Sequence, residues 1–254
     1  MPGRLTPTTP TIGNEAGDCL VASDLLLRVL FAAPSNGFMP SLHFFTRNTM
    51  SAFIYLASQS PRRLQLLEQW GVRCELLLPD ADEDVESLEA VAPGEAPATY
   101  VQRVTRLKLQ ASLARLQRRG LPPAPVLCAD TTVALGRQIL GKPVDAAHAC
   151  QMLAALAGRR HRVLTAVAVG RLGEHGAEHW AALSTSWVAF EPLTAAQIQR
   201  YVDTGEPMGK AGAYAIQGRA ALWASHISGS YSGIMGLPAH ETAQVLGAAG
   251  MCLI

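Results

Sequence analysis

An α/β fold with a mixed, twisted sheet and flanking helices is what this sequence predicts, on three observations. From residue 50 onward, short runs of β-branched and apolar residues alternate with longer segments of helical character. Several helical segments carry their own punctuation: Asp145 or Thr194 at the start, and Gly71, Gly158 or Gly205 just past the end. A chain of 254 residues, 49% apolar and 16% charged, also has the means to bury a sizeable core in one large domain or two lobes.

Taken in order, the first 49 residues stand apart. Pro, Thr and Gly cluster at both ends of a single short apolar run, so residues 1–49 are expected to be a poorly ordered extension before a domain spanning 50–254. Met50 is a candidate second start, which would make the preceding segment a targeting extension or an upstream translation artefact. Residues 51–57 read as a buried strand that runs into a turn and a helix over 61–70. Further helices are expected at 98–119, 145–157, 194–204 and 239–246, and strands at 126–129, 163–169 and 183–190. No internal repeat is visible.

Composition narrows the function classes. A formal net charge of +1 and 6% aromatic residues leave little for wrapping a nucleic-acid backbone or stacking its bases, so any anion site must be local. The five cysteines (Cys19, Cys74, Cys128, Cys150, Cys252) are odd in number and lack a CxxC pair, which suits reduced thiols in the cytoplasm rather than a disulfide or zinc framework. The longest apolar stretch, residues 20–33, is short and interrupted by Asp24 and Arg28, so no membrane span is predicted. No positively charged region precedes it, so a secretory signal is not expected either.

Chemistry concentrates in a few segments. In Leu56-Ala57-Ser58-Gln59-Ser60-Pro61-Arg62-Arg63 a strand ends in Ser-x-Ser and a proline opens a helix. Ser60 is placed to cap, and the helix start offers free N–H groups and the positive end of its dipole. Arg62 and Arg63 in the first turn oppose that dipole unless an anion sits nearby, which makes a phosphate cradle of the segment, the plainer reading being a solvated helix start. In Val126-Leu127-Cys128-Ala129-Asp130-Thr131-Thr132 an apolar run is broken by an acid, placing Asp130 at a strand end to activate water or hold a metal, or simply to cap a turn. Lys142 and Lys210 sit among glycines and prolines that constrain the backbone and can aim an ammonium. Gln217 follows an apolar run and offers the paired donor and acceptor that read a base edge; the small-residue loop 229–233 follows. His175 and His179 have the spacing of a helical metal pair, but Gly173 and Gly176 argue for a solvated hairpin tip.

In sequence, SxSPRR, ADTxV, GKPxD followed by a helix and AGR-RH, TGEPxxKAGAYAIQG, and GSYSGIMGLPxxET resemble the Maf family of nucleotide pyrophosphatases across residues 51–246. The resemblance implies two lobes around a central cleft, a homodimer, a divalent metal, usually Mg²⁺, and hydrolysis of a nucleoside triphosphate between its α and β phosphates. It implies Asp130 as the catalytic proton acceptor, and Ser58, Ser60, Arg62, Arg63, Lys108, Lys142 and Lys210 as the phosphate-binding set. Lys108 matches a family Arg-Glu-Lys pattern in which Leu107 replaces the acid. The acidic segment at Asp82 and Glu83 corresponds to a family acid pair, implying Glu83 as a metal ligand beside Asp130, with Asp80 and Asp84 close enough to compete. Arg62, Thr131 and Gln217 match the members that prefer dTTP and UTP rather than the branch acting on 7-methyl-GTP. A non-catalytic nucleotide-binding regulator of septum formation is the alternative from a different class.

Overall fold

The computed structural model describes residues 53–85, 87–173, 176–251 and 253. The expectations for residues 1–49, for Met50 and for His175 lie outside them. One sheet organises the described residues, seven strands in the order β2-β1-β3-β5-β6-β7, with β4 on the far half of β3. The strands are β1 (Ile54–Leu56), β2 (Cys74–Leu76), β3 (Val126–Leu135), β4 (Gln138–Leu140), β5 (Arg160–Gly173), β6 (Gly176–Phe190) and β7 (Ala224–Ser228). β1 runs parallel to β2 and β3, and every other pairing is antiparallel. The helices are α1 (Pro61–Gln69), α2 (Pro97–Arg118), α3 (Ala146–Leu156), α4 (Ala195–Val202), α5 (Tyr231–Met235) and α6 (Ala239–Ala248). Among the described residues no helix is long and apolar enough to cross a membrane.

The expected helices all form, within three residues at each end. Asp145 caps α3 by accepting from the His148 N–H at 2.7 Å, and Thr194 with Gln197 forms a reciprocal capping box on α4. Ser60 departs from expectation: it occupies the N-cap position of α1 but its side chain caps nothing, and its own N–H donates to Ser58 Oγ at 3.2 Å. Three strands, β3, β5 and β6, run longer than predicted, whereas β1 covers only Ile54–Leu56 of the expected 51–57. β5 and β6 pair from Arg160↔Ala189 to Gly173↔Gly176, a hairpin whose ladder carries polar residues that local propensity alone would leave in loops. β2, β4 and β7 were not foreseen, because segments of three to five residues are too short to show a period.

β3 is the strand on which the site depends. It was expected to stop at Ala129, yet it continues to Leu135, because β5 pairs with it from Val126↔Gly170 to Ala134↔Arg162 and satisfies one edge throughout. Its other edge is covered by β1 only at Val126 and Leu127 and by β4 only from Val133, so the stretch around Asp130 is uncovered between them. Alternation then sorts the side chains. Val126, Cys128 and Ala134 face α2, packing with Leu109, Leu113, Leu116, Val101 and Val104. Leu127 and Ala129 pack on the opposite face with Leu66, Leu67, Val245 and Leu246 of α1 and α6. Val133 joins a different cluster on that face, built by Met152, Leu153 and Leu156 of α3 and Ile198 and Val202 of α4. Thr131 falls between the two clusters, and the cleft opens along the uncovered edge of β3, reaching both faces.

Candidate active site

A cavity of about 480 Å³ fills that gap, within the range of small-ligand pockets. Its floor is the middle of β3. Asp130, only 8% exposed, points to the α2 side, where Lys108 donates to its Oδ1 at 2.6 Å. Lys108 lies on the buried stripe of α2, four residues after Val104 and four before Ser112. Burial alone would lower its pKa, but Asp130 and Glu89 outweigh that and hold it above the usual lysine value. The Glu89 carboxylate joins the same network, accepting from Lys108 at 2.7 Å and from Lys142 at 2.8 Å. Burial pushes the Glu89 carboxyl up, and the two lysines together bring it below its ordinary range.

Opposite them stand three cations with no acidic partner among the described residues. Arg63 donates from Nε to Gly236 O at 2.8 Å, from Nη1 to Ser58 Oγ at 3.0 Å and from Nη2 to Thr131 Oγ1 at 3.4 Å. Arg62 donates to Met235 O at 3.3 Å, and Lys210 to Met208 O at 3.2 Å. Every one of these acceptors is uncharged. Burial lowers the pKa of all three groups, and the Arg62 charge adds to the effect on Lys210. Converging cations that are partly desolvated and form no ion pair among the described residues make a receptor for an anion carrying several charges.

The glutamine sits on a fastened loop at the rim. Gln217 is exposed, lines the cavity and makes no side-chain hydrogen bond among the described residues. The Ala215 N–H, two residues before it, donates to Tyr201 Oη at 3.3 Å, and that hydroxyl donates to Glu206 Oε1 at 3.0 Å. Glu206 Oε1 also accepts from the Arg219 N–H, two residues after it, at 3.0 Å. Gly218 is required for this arrangement, since a Cβ there would lie 2.0 Å from Glu206 Oε1. A further bond, Gly212 N–H to Gly141 O at 3.0 Å, ties together the loops that carry Lys210 and Lys142.

Residues 53–249 match the family model described as Maf-like protein. The chain belongs to the Maf family. Among its relatives, a dTTP/UTP pyrophosphatase of Polaromonas sp. (strain JS666 / ATCC BAA-500) is 65% identical over 199 residues, covering 78% of this chain and 96% of that protein. A dTTP/UTP pyrophosphatase of Albidiferax ferrireducens is 66% identical over 197 residues, again 78% of this chain and 96% of the relative. A third, of Cupriavidus pinatubonensis, is 62% identical over 198 residues, 78% of this chain and 96% of that protein.

Of the residues singled out from sequence and Maf resemblance, Ser58, Ser60, Arg62, Arg63, Lys108, Asp130, Thr131, Lys142, Lys210 and Gln217 all line the one cavity. Glu83 does not. Its carboxylate is held by Arg115 at 2.5 Å and Arg118 at 2.6 Å, and the Arg115 hydrogen bonds bring its pKa to about 2 against the effect of burial. The Glu83 carboxylate itself lies outside the cavity lining and, committed to two guanidinium groups, ties the β2–α2 segment to α2. His179 lies exposed on β6 and stands in no metal cluster; among the described residues no three His, Cys, Asp or Glu side chains come together as one. Thr131 is more than a rim contact: its Oγ1 lies 3.0 Å from Thr165 Oγ1, and Thr165 donates to Gly233 O at 2.7 Å, so it joins β3, β5 and α5 beneath Arg63.

Glu89, Tyr201 and Glu206 were missed. Glu89 is one acid in a stretch crowded with them, and nothing in its local pattern distinguishes it. Glu206 lies inside the TGEP motif, where the signal was its position between glycine and proline, yet its partners lie five and thirteen residues on either side.

Proposed function

We propose that this Maf-family chain hydrolyses dTTP and UTP to the nucleoside monophosphate and pyrophosphate. The observation that carries the proposal is the pairing, in one cavity, of three cations that form no ion pair among the described residues with a carboxylate already bonded to a fourth. The relatives named dTTP/UTP pyrophosphatase supply the substrate class.

In this reading Arg62, Arg63 and Lys210 receive the triphosphate, which carries roughly four negative charges. Asp130 accepts a proton from water as the water oxygen attacks the α phosphorus and the bond from that phosphorus to the α–β bridging oxygen breaks, and Lys108 fixes the orientation of the carboxylate. The α–β oxygen leaves with the pyrophosphate, whose charge Lys108, Lys142 and Lys210 neutralise. Gln217 offers its free amide to the O4 and N3 edge of the pyrimidine. The donor set suits Mg²⁺, which commonly uses one or two carboxylates together with substrate phosphate oxygens and retains water, so Asp130 would hold it with the nucleotide. The ion would supply charge neutralisation on the phosphate oxygens. A homodimer in the cytoplasm completes the proposal; the free thiols of Cys74, Cys128 and Cys150 are consistent with a reducing compartment.

The test is a panel of dTTP, UTP, CTP, GTP and 7-methyl-GTP with Mg²⁺, separating pyrophosphate from orthophosphate in the products. Pyrophosphate from dTTP and UTP is expected, and Asp130→Asn is expected to abolish turnover while nucleotide binding stays measurable. Orthophosphate as the product, turnover of 7-methyl-GTP alone, or full activity in the variant would each overturn a specific part of the scheme.

A further inference from the structure

Glu89 has no role in the scheme above, yet it occupies part of the phosphate site. It ends a 3₁₀ turn, Ser87–Glu89, in the segment between β2 and α2. The Tyr100 hydroxyl donates to the Glu89 carbonyl oxygen at 3.0 Å and pins that turn to the first residues of α2. The side chain then enters the cavity and places one carboxylate oxygen on each lysine, Oε1 on Lys108 and Oε2 on Lys142. Two of the five cations that converge there are therefore neutralised by the protein itself, while Arg62, Arg63 and Lys210 form no ion pair among the described residues.

The geometry points to Glu89 as a specificity-determining residue: a built-in competitor for Lys108 and Lys142 that makes the cleft favour a triphosphate over the monophosphate and pyrophosphate it releases. The inference rests on the cleft being the phosphate site. A monophosphate, with about two charges at neutral pH, can be satisfied by the three cations that have no partner. Such a ligand has little with which to draw the lysines away from a carboxylate that already bonds both. A triphosphate has charge for all five, and Glu89, with its side chain 26% exposed, can turn outward to water as the lysines transfer to phosphate oxygens. When the products separate, Glu89 returns to the lysines and helps to expel what they held. Lys108 keeps its bond to Asp130 in either position of Glu89, so this exchange need not disturb the base.

The test compares the full chain with Glu89→Gln and Glu89→Ala, measuring calorimetrically the binding of inorganic pyrophosphate without divalent metal, and product inhibition of UTP hydrolysis with Mg²⁺. Both variants are expected to bind pyrophosphate about tenfold more tightly, equivalent to ~1.4 kcal/mol. Pyrophosphate is expected to inhibit them at correspondingly lower concentration, with KM for UTP lowered and kcat reduced by slower release. A merely structural role would weaken binding or leave it unchanged, and either result overturns the inference. If the unaltered chain neither binds pyrophosphate nor turns over any nucleotide, the phosphate reading of the cleft fails and this inference falls with it.

Discussion

Replacing Gly212 with alanine should unsettle the cleft without touching any group that meets substrate, and its cost can be worked from geometry. Gly212 has φ of +67°, where an L side chain is strained, and an added Cβ would lie 2.9 Å from Cβ, Cγ1 and Cγ2 of Val133. Val133 is buried on β3 among α3 and α4, so it has little room to yield. The left-handed backbone costs roughly 1 kcal/mol, and overpacking against a fixed neighbour adds about 1–3 kcal/mol. Gly209 provides the control: φ is +72° there too, but a Cβ would meet nothing within 4 Å, so only the backbone cost applies. At roughly 2–4 °C per kcal/mol for a domain of this size, Gly212→Ala should lower Tm by about 4–16 °C and Gly209→Ala by about 2–4 °C. The Gly212 N–H also bonds Gly141 O, so the displaced loop should carry Lys210 away from Lys142 and raise KM for UTP more than it lowers kcat. Thermal melts of the two variants, with steady-state kinetics, decide the matter. Equal destabilisation by both, or failure of Val133→Ala to recover part of the Gly212→Ala loss in the double variant, would refute the steric account.

Three further outcomes are expected. Glu206→Ala removes the acceptor shared by Tyr201 and the Arg219 N–H, so the loop bearing Gln217 should lose its register and selectivity for UTP over CTP should fall several-fold, mostly in KM; unchanged selectivity would separate Glu206 from base recognition. The Glu83 carboxyl is depressed from 4.5 in the unfolded chain to about 2 by its arginine bonds, so its contribution to stability is complete above about pH 4.5 and is lost as pH falls toward 2. Melts across that window should therefore show a steeper acid limb for the unaltered chain than for Glu83→Gln, and parallel limbs would contradict the assignment. Chelation of divalent metal should abolish turnover yet leave Tm nearly unchanged, because a cation carried in with the nucleotide is no structural support; a large fall in Tm would indicate a protein-bound metal instead.

The alternation of strands and helices, the caps at Asp145 and Thr194, and the cleft residues Arg62, Arg63, Asp130, Lys142 and Lys210 were legible in the sequence because each depends on near neighbours. A proline at a helix start, a glycine past its end and a periodic apolar stripe act over a few residues, so their spacing is enough to read them. The extent of β3 was not legible: Asp130-Thr131-Thr132 looks like the end of a strand until β5 is known to pair alongside it. Glu83 and Glu89 make the same point more sharply. Both are acids in one polar segment, six residues apart, and local chemistry treats them alike. Only the packing of that segment on α2 turns Glu83 toward Arg115 and Arg118 and sends Glu89 into the cleft between Lys108 and Lys142. Sequence determines which charges are available, whereas which charge faces which is settled by contacts between residues 19 to 53 positions apart, where no local period reaches.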